Sequence, residues 1–196
     1  MTIKKQIKER LDIISKNINF LKKDIYVNQI IDIYKILLSA IKTKKKILFC
    51  GNGGSAADSQ HFAAELVGKF LYKRQAISAI ALTCDTSIIT SISNDDLFEN
   101  IFSRQIEALG KKNDILYAIS TSGSSKNILK ALLVAKKKKM KTILITGGNF
   151  KSSKKNKFID KVFCVPAKRV DRIQELHLCV GHFICEFLEK KYANNQ

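Results

Sequence analysis

The 196-residue chain lacks tryptophan, holds a single proline and contains only 17 acidic residues against 35 basic ones. It has no apolar run near the ~20 residues that a membrane-spanning helix needs, so we expect no membrane span. The amino terminus leads into a charged amphipathic segment rather than an apolar signal core, which predicts a cytoplasmic protein. Because no linker-like stretch or internal repeat interrupts it, we expect residues 1–196 to form one domain.

The chain has few cysteines, their number is odd, and no CxxC motif occurs among them. Most lie in or beside apolar runs. This pattern favours buried thiols over disulfides or a cysteine metal site. The five positions are Cys50, Cys84, Cys164, Cys179 and Cys185.

The net charge of +18 comes almost entirely from lysine, with 30 lysines and five arginines. Such a charge is typical of proteins that bind acidic partners, either nucleic acid or a membrane surface. It is equally consistent with a lysine-rich surface around a site for an anionic small molecule. Specific nucleic-acid recognition relies on arginine forks and stacking aromatics, and neither accompanies the lysine runs at 42–46, 136–141 and 151–157. We therefore do not expect nucleic acid to be the main partner.

Apolar periodicity predicts an α/β fold. Residues 3–22 and 25–41 have the spacing of amphipathic helices, and strand-like runs then alternate with helical ones. The nearly continuous apolar runs are typical of strands buried on both faces. We expect a doubly wound, parallel, five-stranded sheet between helical layers, with ligands at the carboxyl ends of the strands. Strands are predicted at 46–50, 79–83, 114–119, 141–146 and 161–165, and further helices at 55–69, 97–109, 124–139 and 170–192.

The two amino-terminal helices, within residues 1–43, are longer than one sheet needs to cover its faces. We expect them to form a bundle with another subunit, the alternative being that they pack back on their own domain. Residues 147–157 are polar and lysine-rich, which predicts a mobile loop, and residues 193–196 are expected to be a frayed tail.

The most informative segment is residues 50–65, CGNGGSAADSQHFAAE. It follows a predicted strand, its glycines allow a tight turn, and Ser55 is a candidate cap for the helix that begins there. His61 and Glu65 are four residues apart and so share a helix face. The segment thus combines an anion-binding helix terminus with an acid–base or metal pair, which suggests chemistry on a phosphorylated metabolite.

Two further segments support this interpretation. The serine loop, Ser120–Ser125, follows a predicted buried strand and precedes a helix, as a phosphate-binding loop does. Its alternative is an ordinary serine-rich turn. On the last helix, Gln174 and His182 can point into one cleft, whereas His177 is a weaker candidate. Neither loop has the pattern of a Walker A or dinucleotide motif.

Four segments together, CGNGGSAADSQHFAAEL, SNDDLFENIFSRQIEALG, ISTSGSS and DRIQELHLCVGH, carry a resemblance to a known family. The chain resembles the phosphoheptose isomerases of the sugar-isomerase (SIS) domain family over essentially its whole length. The resemblance implies a flavodoxin-like three-layer sandwich and isomerisation of sedoheptulose 7-phosphate to D-glycero-D-manno-heptose 7-phosphate, the first step toward bacterial surface heptose. It also implies zinc and a homotetramer with sites at subunit interfaces.

The resemblance also assigns residues. It implies Glu65 and His182 as the acid–base pair, and His61, Glu65, Gln174 and His182 as zinc ligands. We assign Glu65 the carbon proton and His182 the oxygen proton of an enediol pathway. The implied substrate contacts are Asn52, Gly53, Gly54, Ser55, His61, Glu65, Asn94, Asp95, Ser120, Thr121, Ser122, Ser125 and Gln174.

Two other interpretations remain open. A non-enzymatic relative of the same fold binds a replication initiator, but it lacks counterparts of Glu65 and His182. The chain could also isomerise another phosphosugar, because the loops do not determine how many carbon atoms the sugar has. Departures from the family pattern are Lys69 in place of arginine, the lysine-rich stretch after Asn149, and residues 168–171.

Overall fold

The structure is a computed structural model that describes residues 1–150 and 156–193. Residues 151–155 of the predicted mobile loop and 194–196 of the predicted tail lie outside the described residues. The described residues form seven α-helices around one parallel sheet. The helices are α1 (Ile3–Leu21), α2 (Asp24–Lys42), α3 (Gly54–Val67), α4 (Thr86–Asp95), α5 (Ile101–Leu109), α6 (Lys126–Lys137) and α7 (Val170–Ala193).

The five strands are all parallel and run in the order β2-β1-β3-β4-β5. This confirms the predicted doubly wound sheet, and each predicted strand lies within two residues of its observed bounds at either end. The strands are β1 (Ile47–Gly51), β2 (Ala79–Ala81), β3 (Ile115–Ile119), β4 (Lys141–Gly147) and β5 (Lys161–Val165).

Two hydrophobic cores cover the two faces of the sheet. Because side chains alternate along a strand, Ile47 and Phe49 of β1 join one core, while Leu48 and Cys50 join the other. The first core is closed by α2, α3 and α7, and the second by α5 and α6 with part of α4. The continuous burial of β1 and β3 explains why both segments are apolar at every position.

Helix α4 was not predicted. Its sequence, TSIITSISND, is rich in β-branched residues and serine, which have weak helix propensity, and none of its residues is fully buried. The helix begins because Asp85 accepts a hydrogen bond from the Ile88 amide at 2.9 Å. Ile89 and Ile92 pack against the second core and hold it in place.

The amino ends of β1, β3 and β4 lie side by side, since Ile47 pairs with Ile115 and Ile115 with Lys141. We call this the amino edge. The turns into these strands use residues with positive φ: Lys44 (54°), Asn113 (69°) and Lys139 (60°). Exposed lysines surround them, at positions 42, 44, 111, 112, 136, 137, 139 and 141.

Helix α1 keeps its apolar stripe exposed. Ile3, Ile7 and Leu11 are 75%, 55% and 59% exposed, whereas only Leu21 of this helix is buried. No helix among the described residues is long and apolar enough to cross a membrane.

Candidate active site

The site lies where the strand order reverses. The chain leaves β1 for β2 on one side and returns to β3 on the other, so a crevice opens between the carboxyl ends of β1 and β3. The last residues of the two strands, Gly51 and Ile119, are register partners. The loop that begins at Asn52 and the serine loop that begins at Ser120 therefore start next to each other.

The first loop turns directly into α3. Gly53 has φ of 55°, a conformation that favours glycine, and it is the residue before the helix. The prediction of Ser55 as the cap was wrong, because the helix begins at Gly54 and no side chain caps it. Ser55 is instead buried within the first turn, 3% exposed. The amino terminus of α3 thus faces the crevice without a capping side chain.

The serine loop is built by its own hydroxyl groups. The Gly123 amide donates to Ser120 Oγ at 3.1 Å, and the Ser120 and Ser125 hydroxyls are 3.3 Å apart. Ser125 precedes α6 but makes no side-chain capping bond. Ser122 Oγ accepts from the amide of Ser124 at 3.2 Å. A second uncapped helix terminus, lined with hydroxyls, therefore faces the same crevice.

The two loops are joined by a contact that sequence reasoning missed. Asn52 and Asn127 exchange side-chain amide hydrogen bonds of 2.9 and 2.8 Å. Asn127 is 3% exposed and lies one residue inside α6. An asparagine in the first turn of a helix after a serine loop was the available signal. The pair fixes the two helix termini relative to each other.

Helices α3 and α7 run parallel, so that residues near the start of one helix lie beside residues near the start of the other. The Gln174 side chain lies against Gly54 near the start of α3, where a Cβ atom added to Gly54 would be 2.4 Å from Gln174 Nε2. Farther along, a Cβ on Gly181 would be 2.0 Å from the buried Phe62 ring. Glycine at 181 is therefore what allows the helices to approach closely at this point.

This close approach brings His61 and His182 together. Their Nε2 atoms are 2.7 Å apart, and His61 Nε2 is 3.5 Å from Glu65 Oε1. Burial is the first cause that lowers the pKa of His182, with His61 adding to it and Glu65 opposing it. A neutral imidazole can accept a proton or bind a metal. The structure thus brings together three of the predicted site residues.

The same three side chains could hold a metal ion. One ligand atom from each lies within 4.8 Å of the others, and two imidazole nitrogens with one carboxylate oxygen suit a divalent transition ion. Gln174, the fourth predicted ligand, lies against Gly54, eight residues and about 12 Å of helix before His182. The donor set of the other three fits the metal that the sequence resemblance implied.

The remaining predicted site residues occupy the rim or the core. Asn94 and Asp95 are exposed at the end of α4, where Asn94 Nδ2 donates to Asp95 Oδ1 at 2.8 Å. An ion pair of 2.8 Å between Lys126 and Glu99 brings the following segment to the serine loop. His177 is not part of the histidine pair: it is buried, 1% exposed.

All five cysteines are free, with Cys84 exposed and only Cys50 and Cys185 fully buried.

Comparisons with known proteins agree with this geometry. The family model described as "SIS domain" matches residues 16–147. The chain is 47% identical to a phosphoheptose isomerase of Clostridium acetobutylicum over 96% of this chain and 94% of that one. It is 43% identical to one of Sulfurimonas denitrificans, again over 96% and 94% of the two chains.

Solved structures give the same result. The phosphoheptose isomerase of Francisella tularensis superposes with a TM-score of 0.89 at 33% identity, covering 97% of this chain and all of that one. That of Neisseria gonorrhoeae gives 0.86 at 34%, covering 96% and 100%. With this fold, these loops and this similarity, the chain belongs to the SIS domain family and, within it, to the phosphoheptose isomerases.

Proposed function

We propose that this protein isomerises sedoheptulose 7-phosphate to D-glycero-D-manno-heptose 7-phosphate, the entry reaction to bacterial surface heptose. One observation carries the proposal: the amino termini of α3 and α6 meet at the strand-order reversal, and α3 also carries His61 and Glu65, which lie beside His182 of α7. The names of the relatives in the comparison support the same activity.

The phosphate group would bind between the two loops. The first turns of α3 and α6 present backbone N–H groups and the positive ends of two helix dipoles to the crevice. The hydroxyls of Ser120, Ser122 and Ser125 supply further donors. Asn52 and Asn127 hold both termini at a fixed separation, so the site is organised before the ligand arrives. The exposed Asn94 and Asp95 would bind the polyol chain at the rim.

Proton transfer would be carried by Glu65 and His182. The Glu65 carboxylate takes a proton from C1 of the ketose, which gives an enediol, and returns it to C2. His182 moves a proton from the O1 hydroxyl to O2, so that a C1 aldehyde and a C2 hydroxyl result. Their side chains lie on the facing helices α3 and α7, each near the His61 ring, and this arrangement supports assigning the two proton transfers to this pair.

We further propose zinc as the metal of the cluster, held by His61, Glu65 and His182, with Gln174 joining if its side chain turns away from Gly54. When bound, zinc would polarise the carbonyl and stabilise negative charge on its oxygen. His61 then orients the site without transferring a proton itself.

We propose a cytoplasmic homotetramer whose sites lie at subunit interfaces, with residues 1–43 as assembly helices on a single SIS domain of residues 1–196. The exposed apolar stripe of α1 supports this. An apolar groove lined by Ile18, Ile31, Phe183 and Phe187 extends the stripe to the residue next to His182. A second subunit covering this surface would reach the edge of the site.

The first test is turnover of sedoheptulose 7-phosphate by the purified protein, followed by NMR of the sugar carbons, with added zinc and after chelation. An aldoheptose 7-phosphate product is expected, and the chelated sample measures the metal requirement. Phosphoketoses of five and six carbons serve as matched substrates. A folded protein that turns over a shorter sugar but not the heptulose would reassign the substrate, and one that turns over none would refute the isomerase.

A further inference from the structure

A buried ion pair lies behind the acid–base residues and is not part of the site described above. Arg74 and Glu189 have side chains with 0% exposure, and Arg74 Nε is 3.3 Å from Glu189 Oε1. Glu189 lies on α7, two turns beyond His182, and Arg74 lies in the segment that follows α3. Buried ion pairs are weak evidence for stability, because desolvation offsets their attraction, so another role has to be considered.

Glu189 binds the backbone of the segment after α3. Its carboxylate accepts N–H bonds from three successive residues, Phe70 at 2.8 Å, Leu71, and Tyr72 at 2.9 Å. Burial alone would raise the pKa of Glu189, but these bonds and the Arg74 charge together lower it. The carboxylate is therefore ionised at neutral pH and fixes the path of the chain at residues 70–72.

That path places an aromatic ring on one catalytic residue. The Phe70 ring stacks on the His182 imidazole, with centroids 5.5 Å apart and planes inclined by 25°. His182 is thus in contact with two rings, Phe70 stacked on it and His61 edge-on at 5.0 Å. An imidazole packed against two rings has few rotamers available.

Arg74 binds the backbone of the other catalytic residue. Its Nη2 donates to the Glu65 carbonyl at 2.7 Å, and its Nη1 donates to the Gly68 carbonyl at 3.0 Å. The Glu65 carbonyl belongs to the last turn of α3 and the Gly68 carbonyl follows that turn directly, so neither has a partner within the helix. Arg74 therefore fixes the end of the helix from which the Glu65 side chain projects.

We propose that Arg74 and Glu189 are positioning residues that hold both members of the acid–base pair, Glu65 through its backbone and His182 through the Phe70 ring. The proposal rests on the function proposed above. One ion pair then sets the orientation of the carboxylate and the imidazole relative to each other. Neither residue touches the substrate, so their effect falls on turnover more than on binding.

Phe70→Leu tests the proposal without disturbing the ion pair, because the backbone N–H bonds to Glu189 remain. Tyr72→Leu is the matched control: it removes an aromatic ring from the same segment, but Tyr72 is 42% exposed. We expect Phe70→Leu to lower kcat by about tenfold with KM within about twofold, since misplaced groups slow the chemical step. Tyr72→Leu should match the wild type in both constants.

A second readout does not depend on activity. In the metal-free protein, carbethoxylation of His182 by diethyl pyrocarbonate is followed by peptide mass spectrometry. We expect His182 to react faster in Phe70→Leu than in the wild type and in Tyr72→Leu. A folded Phe70→Leu protein with wild-type kcat and wild-type His182 reactivity would overturn the proposal.

Glu189→Gln then tests the ion pair itself. We expect a lower melting temperature and, well below it, a loss of kcat at least as large as that of Phe70→Leu with faster His182 modification. Wild-type kcat and His182 reactivity in folded Glu189→Gln would show a purely structural pair and refute the proposal. If the wild type turns over no phosphosugar, the isomerase proposal fails, while the His182 reactivities still decide whether this segment holds the imidazole.

Discussion

The two edges of the sheet are made from different residues. At the carboxyl edge, β1 and β3 end in loops of glycine, asparagine and serine, and both following helices begin without a capping side chain. At the amino edge, the turns are rich in lysine, and one buried carboxylate, Asp114, organises them by accepting from the amides of Lys46 at 3.2 Å and Lys111 at 2.8 Å. At the carboxyl edge the residue before each helix makes no side-chain cap, whereas at the amino edge a buried carboxylate accepts from the amides of the turns.

The polar groups of the two edges therefore have different roles, one in holding strands together and the other in offering a place for a ligand. Asp114 is 2% exposed and also pairs with the Lys46 ammonium group, so its role is to hold two strand starts together. The carboxyl edge has uncapped helix ends where a ligand can bind. Substitutions at the amino edge should therefore change stability alone, and those at the carboxyl edge should change turnover.

The largest effect is expected at the carboxyl edge. Glu65→Gln keeps the shape of the side chain but cannot accept the carbon proton, so kcat should fall by at least ~10²-fold. The melting temperature should stay close to that of the wild type. Steady-state kinetics and thermal unfolding measure the two quantities, with Glu107→Gln on α5, whose ion pair with Arg104 is exposed, as the surface control. Near-normal turnover would remove Glu65 from the mechanism.

The next largest effect is expected in the pH dependence of the unfolding free energy. Burial lowers the pKa of His177 from 6.5 to about 4, although a backbone hydrogen bond with Thr146 opposes the shift. Between these values the unfolded state binds the proton and the folded state does not, so stability falls as pH drops from 6.5 to 4. The loss should reach about 3 kcal/mol.

Urea unfolding at pH 7, 5.5 and 4.5 measures this loss. His177→Gln should flatten the slope of unfolding free energy against pH in that window, whatever its own cost at pH 7. An unchanged slope would mean that other groups cause the acid sensitivity.

At the amino edge, Asp114→Asn should lower the unfolding free energy by about 1.5–3 kcal/mol, because two amides and a largely buried ammonium lose a charged acceptor. At a temperature where the variant is folded, kcat and KM should equal the wild-type values. Asp32→Asn is the control, since the Asp32 side chain is 52% exposed and its ion pair with Lys161 should contribute little. Loss of turnover in folded Asp114→Asn would break the contrast between the edges.

Gly181→Ala tests the helix contact beneath the histidine pair. The new methyl group would collide with the Phe62 ring, which costs about 1–3 kcal/mol and separates α3 from α7. Turnover should fall with stability, because His61 and His182 lie on these two helices. The double variant Gly181→Ala with Phe62→Leu should regain part of both. Full activity in the single variant would show that the helices can separate without consequence.

The smallest effect is expected at Lys139, whose φ of 60° strains a side chain with a Cβ atom. Lys139→Gly should raise the unfolding free energy by about 0.5 kcal/mol and leave kcat unchanged. Lys138→Gly is the matched control, because φ there is −77° and glycine should destabilise. A destabilised Lys139→Gly would show that the lysine side chain outweighs the strain.

Much of the fold could be predicted from sequence, because parallel strands buried on both faces leave continuous apolar runs. The order of the loops and the i, i+4 spacing of His61 and Glu65 likewise predicted one helix face. Helix α4 was missed since its propensity is low and tertiary packing holds it. The cap at α3 was misplaced because the positive φ of Gly53 allows the helix to begin at Gly54, a residue before Ser55.

Contacts between distant segments could not be predicted. The Asn52–Asn127 pair joins residues 75 apart, and Glu189 binds a segment more than 115 residues earlier in the chain. No local pattern distinguishes Arg74 and Glu189 from surface charges, because their burial depends on how α3 and α7 pack. The 2.7 Å contact between the histidines depends on Gly181 in the same way.

Helix α3 also fixes the distance between two parts of the proposed site. It carries Ser55, in the turn that we propose binds the phosphate, and His61, six residues and about 9 Å of helix rise farther on. A phosphosugar held by its phosphate must bridge that length before its carbonyl meets His61 and Glu65. On the proposed function, selection by chain length is then a property of helix geometry, and shorter phosphoketoses are rejected because they do not reach, with no side chain needed to exclude them.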